Sequence, residues 1–354
     1  MIGAEIAGTG SYLPGEPITN QDLAAQFGRK VIWLAEMLGA RTRHFALDLR
    51  RGQLLPGETN AQMATNAARR ALLDADVDPM SVDLIVLATS TPDYPFPATV
   101  LFVQEQLGLP RCCVIELRAG CGGMAQAFAI ATNMIATGQS KTALLIGSEL
   151  ISPFISVFNR ADHDLDKDFL ASVAIFGDGA GALVLRRSDT GDGVLGCTSQ
   201  SMSTGRPAAM MLRAGGALAP PGTEAGDRLF VHDFKAILKH GPELIRAAVE
   251  WVRDHEAVGF ESVDFCIPPQ VNGRLIELAA AQMGVAEERV VSDFARAGNT
   301  VSASIYIALD HLNRQGRLKA GDLLVLLPAE ATKWLYGAVV VRWSQGPKQP
   351  GREG

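Results

Sequence analysis

The sequence predicts an α/β protein whose strands are buried on both faces between layers of helix. Three observations predict it. Apolar runs of strand length alternate with helical patterns along the chain. The runs are apolar throughout rather than at every second residue, as expected of strands covered on both sides. Their order recurs in the second half about 180 residues later, which points to two similar halves.

The elements follow in chain order. The N-terminus, MIGAEIAGTGSYLPGE, reads as a strand entering a glycine turn, and lacks the basic and apolar blocks of a signal peptide. An alanine-rich helix is expected over 60–75, after Glu58-Thr59-Asn60. Strands follow from Asp83 to Thr89 and from Val114 to Leu117. An apolar helix over 122–137 ends at Gly138. Further strands are expected over 141–147 and 181–186. In the second half Val263–Pro268 answers Val82–Leu87, Gly321–Leu327 answers Lys141–Gly147, and Tyr336–Arg342 answers Ala180–Arg186. The halves are set at 1–187, carrying the nucleophile, and 188–354. Residues 199–228, rich in Gly, Ala, Pro, Ser and Met, read as a connector beside a substrate entrance, and the tail after Trp343 as frayed.

Composition narrows the function. The 354 residues are 47% hydrophobic and 20% charged, enough for a large core. The net charge of −6 and the lack of a Lys/Arg-rich run argue against nucleic acid or an anionic membrane as partner. No apolar run reaches the ~18 residues that span a bilayer. The five cysteines are scattered without a CxxC pair, so reduced thiols in a cytoplasmic protein are expected. The histidines, His44, His163, His232, His240, His255 and His311, lack metal-ligand spacing, and no metal is expected.

The chemistry centres on Arg118-Ala-Gly-Cys121-Gly-Gly-Met, between a strand and a long apolar helix. A cysteine on such a turn faces unpaired N–H groups and the helix dipole, which favour thiolate. Gly120, Gly122 and Gly123 let a bulky thioester approach, and the Cys121 N–H can serve an oxyanion. Cys112, Cys113, Cys197 and Cys266 lack paired glycine flanks and read as small structural thiols.

At these residues the chain resembles β-ketoacyl-ACP synthase III, of the thiolase superfamily. The likeness runs from Gly8-Thr-Gly-Ser-Tyr-Leu-Pro14 to Val341-Arg342. It includes Thr19-Asn20, Trp33, Gly39-Ala-Arg-Thr-Arg-His44, Phe96-Pro97, the Cys121 turn, Phe176-Gly-Asp-Gly-Ala-Gly181 and Gly298-Asn299-Thr300. The resemblance implies a thiolase-like, five-layered αβαβα fold of two duplicated halves, and a homodimer with Phe96 near the partner's acyl pocket. It implies acyl transfer through Cys121 from an acyl carrier protein or coenzyme A thioester, with no permanently bound cofactor. Trp33 matches a residue that stacks on the CoA adenine. The arginines that clamp CoA are replaced by Met37 and Leu170, which favours a carrier-protein thioester. Gly177-Asp-Gly-Ala-Gly181 then reads as a structural turn rather than a phosphate loop.

Departures from the pattern matter more. Where the family has a catalytic His in His-Gln-x-Asn, this chain has Pro269-Gln-Val-Asn272, while the family's Asn is kept as Asn299. A Cys-His-Asn set has become Cys121, Pro269 and Asn299. Proline offers no side-chain donor or base. The glycine-rich loop before the last strand is replaced by Ala331-Thr332-Lys333, preceded by Glu330. Glu330 and Lys333 read as acid–base groups or as solvated loop charges. Arg118 reads as a thiolate or substrate-carboxylate partner, or as a surface arginine. His232 stands near the family's acyl entrance and reads as a relocated base or as a surface histidine. Three functions remain open. They are an acyltransferase that does not decarboxylate, a conventional decarboxylating synthase with a substitute group, and a non-catalytic partner in a heterodimer.

Overall fold

The computed structural model describes residues 3–156, 167–188, 192–212, 216–218, 230–254, 259–273 and 275–347. His163, His255, most of the expected connector beyond Leu212 and the end of the tail lie outside the described residues.

The first sheet runs in the order Gly3–Tyr12, Gly179–Ser188, Thr142–Glu149, Leu84–Ala88, Cys113–Leu117. Leu84–Ala88 lies parallel to both of its neighbours, and Gly179–Ser188 antiparallel to its own. The second sheet repeats this logic as Gly193–Ser201, Leu335–Arg342, Leu323–Leu326, Phe265–Ile267. Its strands Phe265–Ile267 and Leu323–Leu326 are parallel, and Leu335–Arg342 is antiparallel to both of its long neighbours. Each pair of segments matched in the sequence occupies the same place in its sheet, so the duplication extends to topology.

Side-chain alternation sorts the layers. On Leu84–Ala88, Leu84 and Val86 face the middle of the molecule while Ile85 and Leu87 face outward. Two helices fill the middle, Gly123–Ala136 and Ser304–Arg314. Their Met124, Phe128, Ile135, Tyr306, Leu309 and Leu312 pack between the inner faces of the two sheets. Helix Asn60–Ala75 covers the outer face of the first sheet with its alanines, and its start is capped by Thr59, whose hydroxyl accepts from the Gln62 N–H at 3.1 Å. Helix Phe234–Asp254 covers the second sheet through Ile245, Val249 and Val252. The result is helix, sheet, helix, sheet, helix, as expected.

The connector expectation needs correcting. Strand Gly193–Ser201 continues through its first three residues, and Met210–Leu212 pairs antiparallel with Phe230–His232. Pairing with the distant strand Leu335–Arg342 supplies Gly193–Ser201 with its hydrogen bonds, which local composition cannot signal.

One close approach fixes how the second half seats on the first. A Cβ on Gly147, in strand Thr142–Glu149, would stand 2.3 Å from the Ser302 carbonyl oxygen. Backbone cannot yield as a flexible side chain does. Gly147→Ala should therefore lose about 1–3 kcal/mol of stability, read from chemical or thermal denaturation. Unchanged stability would show that the contact relaxes freely.

Candidate active site

The edge strand Cys113–Leu117 delivers the chain to a tight turn, Gly120–Gly122, and then into helix Gly123–Ala136. Gly120 has φ +47°, a conformation that glycine adopts without strain. Cys121 is half-buried and packs on an apolar cluster that includes Leu170, Phe176, Val301 and Phe234.

The surroundings of Cys121 run against the thiolate expectation. Burial raises the Cys121 pKa well above the usual thiol value, and the carboxyls of Glu330 and Glu149 raise it further. The Cys121 backbone N–H pulls the other way and loses. Desolvation and two acids outweigh the helix start, so the resting group is a thiol.

Glu330 is buried, at 2% exposure, which removes it from the solvated loop charges. Its Oε2 lies 3.4 Å from where a Gly120 Cβ would stand, and its Cγ 3.4 Å from the same point on Gly122. The carboxylate accepts from the Thr332 N–H at 2.7 Å, from the Thr332 hydroxyl, and from the Lys333 N–H at 3.3 Å. Burial raises its pKa while these donors lower it. Lys333 turns away, its Nζ donating to the Arg206 carbonyl at 2.6 Å.

Asn299 is buried beside Phe176. Its N–H donates to the Ile175 carbonyl at 2.8 Å, and its own carbonyl accepts from the Gly177 N–H at 3.1 Å. Its side-chain Oδ1 accepts from the Val301 N–H at 2.8 Å and the Ser304 hydroxyl at 3.2 Å. The amide oxygen is thereby fixed, which makes the NH2 the end that can serve a substrate oxygen. The Val301–Ala303 turn that follows packs directly on the Cys121 turn.

Pro269 is buried just beyond strand Phe265–Ile267. The Ile267 carbonyl accepts from the Leu327 N–H at 3.0 Å. Pro268 and Pro328 therefore follow neighbouring strand ends, and Ala329–Glu330 pairs on with Leu335–Arg342. Gln270 braces the segment, its Nε2 donating to the Pro268 carbonyl at 2.8 Å and its Oε1 accepting from the Asp293 N–H at 2.7 Å.

His232 is not a surface histidine. It is 9% exposed, with its ring 3.9 Å from that of Phe234 and 5.6 Å from that of Phe176. The Ser172 hydroxyl donates to the Asp168 carbonyl at 2.8 Å, so the imidazole donates to Ser172 Oγ through Nδ1–H at 2.8 Å. Burial lowers its pKa to about 4, with Asp233 opposing, so it is neutral at pH 7.

Arg118 is exposed and stands 4.0 Å from Glu116; no ion pair joins it to the Cys121 site among the described residues. Trp33 is 59% exposed on helix Lys30–Leu38, with Met37 exposed on the same helix, whereas Leu170 is buried. Phe96 is 85% exposed. Asp178 of the glycine-rich turn is buried and accepts from the N–H groups of Ala46, Ile151 and Ser152 and from the Ser152 hydroxyl. Those bonds tie three segments together, as a structural turn requires. Glu149 was missed by sequence reasoning. It is fully buried at a strand end, and burial raises its pKa to about 7. No local pattern marks it, because its partners Ser90, Thr91 and Ser302 are remote in sequence. No cluster of three His, Cys, Asp or Glu able to hold a metal exists among the described residues.

Residues 115–203 match the family described as 3-Oxoacyl-[acyl-carrier-protein (ACP)] synthase III, and residues 254–343 match its C-terminal part. The chain is 38% identical over 347 residues to the Beta-ketoacyl-[acyl-carrier-protein] synthase III of Bradyrhizobium sp. strain BTAi1, covering 97% of this chain and 99% of that protein. It belongs to the ketosynthase III family. Among solved structures, the 3-oxoacyl-(acyl carrier protein) synthase III of Pseudomonas aeruginosa PAO1 is 32% identical, with a TM-score of 0.82 over 98% of this chain and 100% of that one. A tetronic acid condensing enzyme, AbyA1, is 28% identical, with a TM-score of 0.84 over 96% of this chain and 99% of that one. The fold is thus the thiolase-like fold of the ketosynthase III enzymes, which are transferases. These enzymes act on acyl-ACP or acyl-CoA and hold no permanent cofactor. No helix among the described residues is long and apolar enough to cross a membrane.

Proposed function

We propose that this ketosynthase III enzyme is an acyltransferase that loads an acyl group on Cys121 and passes it to an acceptor without decarboxylation. The observation that carries this reading is Pro269, buried where the resemblance places an imidazole. Loading asks for a sulfur nucleophile at a helix start and a backbone N–H for the oxyanion, and the Cys121 turn offers both. Decarboxylation of a malonyl thioester asks in addition for donors that hold the thioester oxygen as the enolate forms. Here Asn299 stands without its imidazole partner. Loss of one such donor removes about 2.7–4 kcal/mol, or roughly 10²–10³ in rate.

The likeness to a tetronic acid condensing enzyme supports use of this scaffold outside fatty-acid elongation, in polyketide or other natural-product synthesis. The name of the Bradyrhizobium relative supports the second reading, a conventional β-ketoacyl synthase. A carrier-protein donor is favoured because Met37 and Leu170 offer no charge to CoA phosphates. The exposed Trp33 ring remains open to an adenine. We read the enzyme as a cytoplasmic homodimer. Phe96 is 85% exposed, and edge strand Cys113–Leu117 has a neighbour on one side only among the described residues. Light scattering should return twice the chain mass of 37.6 kDa; a monomer at micromolar concentration refutes the dimer.

The test of the transfer is a chase. Enzyme preloaded with a labelled acyl group, then given alcohols or amines, should surrender the label to one of them with no malonyl thioester present. Release only when a malonyl thioester is added would contradict the reading.

A further inference from the structure

We propose that the Glu330 carboxylate takes the proton from Cys121 as its sulfur attacks the donor thioester. This rests on acyl loading at Cys121 and names the group that makes loading possible. Glu330 lies against both flanks of the nucleophile, 3.4 Å from the Cβ positions of Gly120 and Gly122. Strand Ala329–Glu330, paired with Leu335–Arg342, packs on the Gly120–Gly122 turn and sets the carboxyl there. The Thr332 and Lys333 N–H groups and the Thr332 hydroxyl hold it in place.

Loading also needs a base. The resting Cys121 is a thiol, and Pro269 cannot accept its proton. The other groups near the turn are accounted for. Glu149 also acts on Cys121 electrostatically, but less strongly than Glu330, and its carboxylate is engaged by the Ser90 N–H at 2.9 Å, the Thr91 hydroxyl at 2.6 Å and Ser302. His232 is held by Ser172 and the rings of Phe176 and Phe234. Lys333 Nζ is bound to Arg206, and Arg118 lies beside Glu116.

The step balances. Cys121 sulfur bonds to the acyl carbon, its proton passes to Glu330, and the carbon–sulfur bond of the donor breaks. Glu330 then protonates the departing thiolate of the carrier or of CoA. In the second half-reaction the regenerated carboxylate takes the proton of the acceptor and returns it to Cys121. The acceptor is therefore one that brings a proton to remove: an alcohol, an amine or an activated carbon acid.

Two readouts moving in opposite directions test this. In Glu330→Gln, single-turnover loading of Cys121 from acyl-CoA or acyl-ACP should slow by roughly a hundredfold or more. Alkylation of Cys121 by iodoacetamide, mapped by peptide to separate it from exposed Cys113, should shift to lower pH, because a negative charge has gone. Glu330→Asp keeps a carboxylate and should recover part of the loading rate. If the Gln variant does not fold, the wild-type pH profile decides. Loading should rise as one carboxyl above the ordinary carboxylate range loses its proton, and then level off. Unchanged loading in Glu330→Gln, or wild-type loading that climbs with the thiolate through the alkaline range, overturns the proposal. Absence of any thioester on wild-type Cys121 overturns the acyltransferase reading instead.

Discussion

Cys121→Ala abolishes covalent loading: the intact protein gains no acyl mass after exposure to acyl-CoA or acyl-ACP, while the wild type gains one acyl group per chain. The expectation rests on access as well as on chemistry. Cys266 is fully buried, so it does not meet a thioester. Cys112 is half-buried and Cys197 packs near the central helices, neither on a glycine turn at a helix start. Cys113 is exposed, but it starts an edge strand and has no glycine turn or oxyanion donor around it. Label that persists in Cys121→Ala at the wild-type rate would move the nucleophile elsewhere and remove the basis of the functional reading.

Pro269→His should release carbon dioxide from malonyl-ACP faster than the wild type does. One donor restored where the family resemblance pairs it with Asn299 is worth up to roughly 10²–10³ in rate. Recovery should fall short of that range for two reasons. Glu330 still crowds the turn and engages the Thr332 and Lys333 N–H groups. Removing the second proline of Pro268-Pro269 also loosens the backbone that the first occupies. Asn299→Asp separates the two half-reactions. It keeps acceptors for the Val301 N–H and the Ser304 hydroxyl, so the turn holds, and it removes the NH2. In the Pro269→His background it should erase the gained decarboxylation and leave loading in place. Gain without dependence on Asn299 would show that the imidazole acts by another route.

Much of this was legible in the sequence, for physical reasons that can be named. Runs such as Leu84–Ala88 and Leu323–Leu326 are apolar at every position because helices cover both faces, and the repeat of that pattern pointed to two similar halves without giving the order of strands in either sheet. Helix Asn60–Ala75 announced itself through Thr59 and its alanines, and the Cys121 turn through its glycines. What escaped was set by partners far along the chain. The Cys121 turn predicts a thiolate if only the local helix start is weighed. Burial by elements far along the chain, with Glu330 and Glu149 adding to it, reverses the sign. His232 was open to a surface reading because Ser172 and Phe176, which help to enclose it, lie some 60 residues away in sequence. Met210–Leu212 became a strand only because Phe230–His232 returns to pair with it.

The most direct measurement counts two products in one vessel. Wild-type enzyme is loaded from a labelled acyl donor, the thioester on Cys121 is quantified, and malonyl-ACP is then added while carbon dioxide is followed. The account predicts a full acyl thioester on Cys121 and carbon dioxide no faster than the background of the carrier thioester alone. Brisk carbon dioxide release matching loss of the Cys121 thioester would contradict it and establish a conventional condensing synthase.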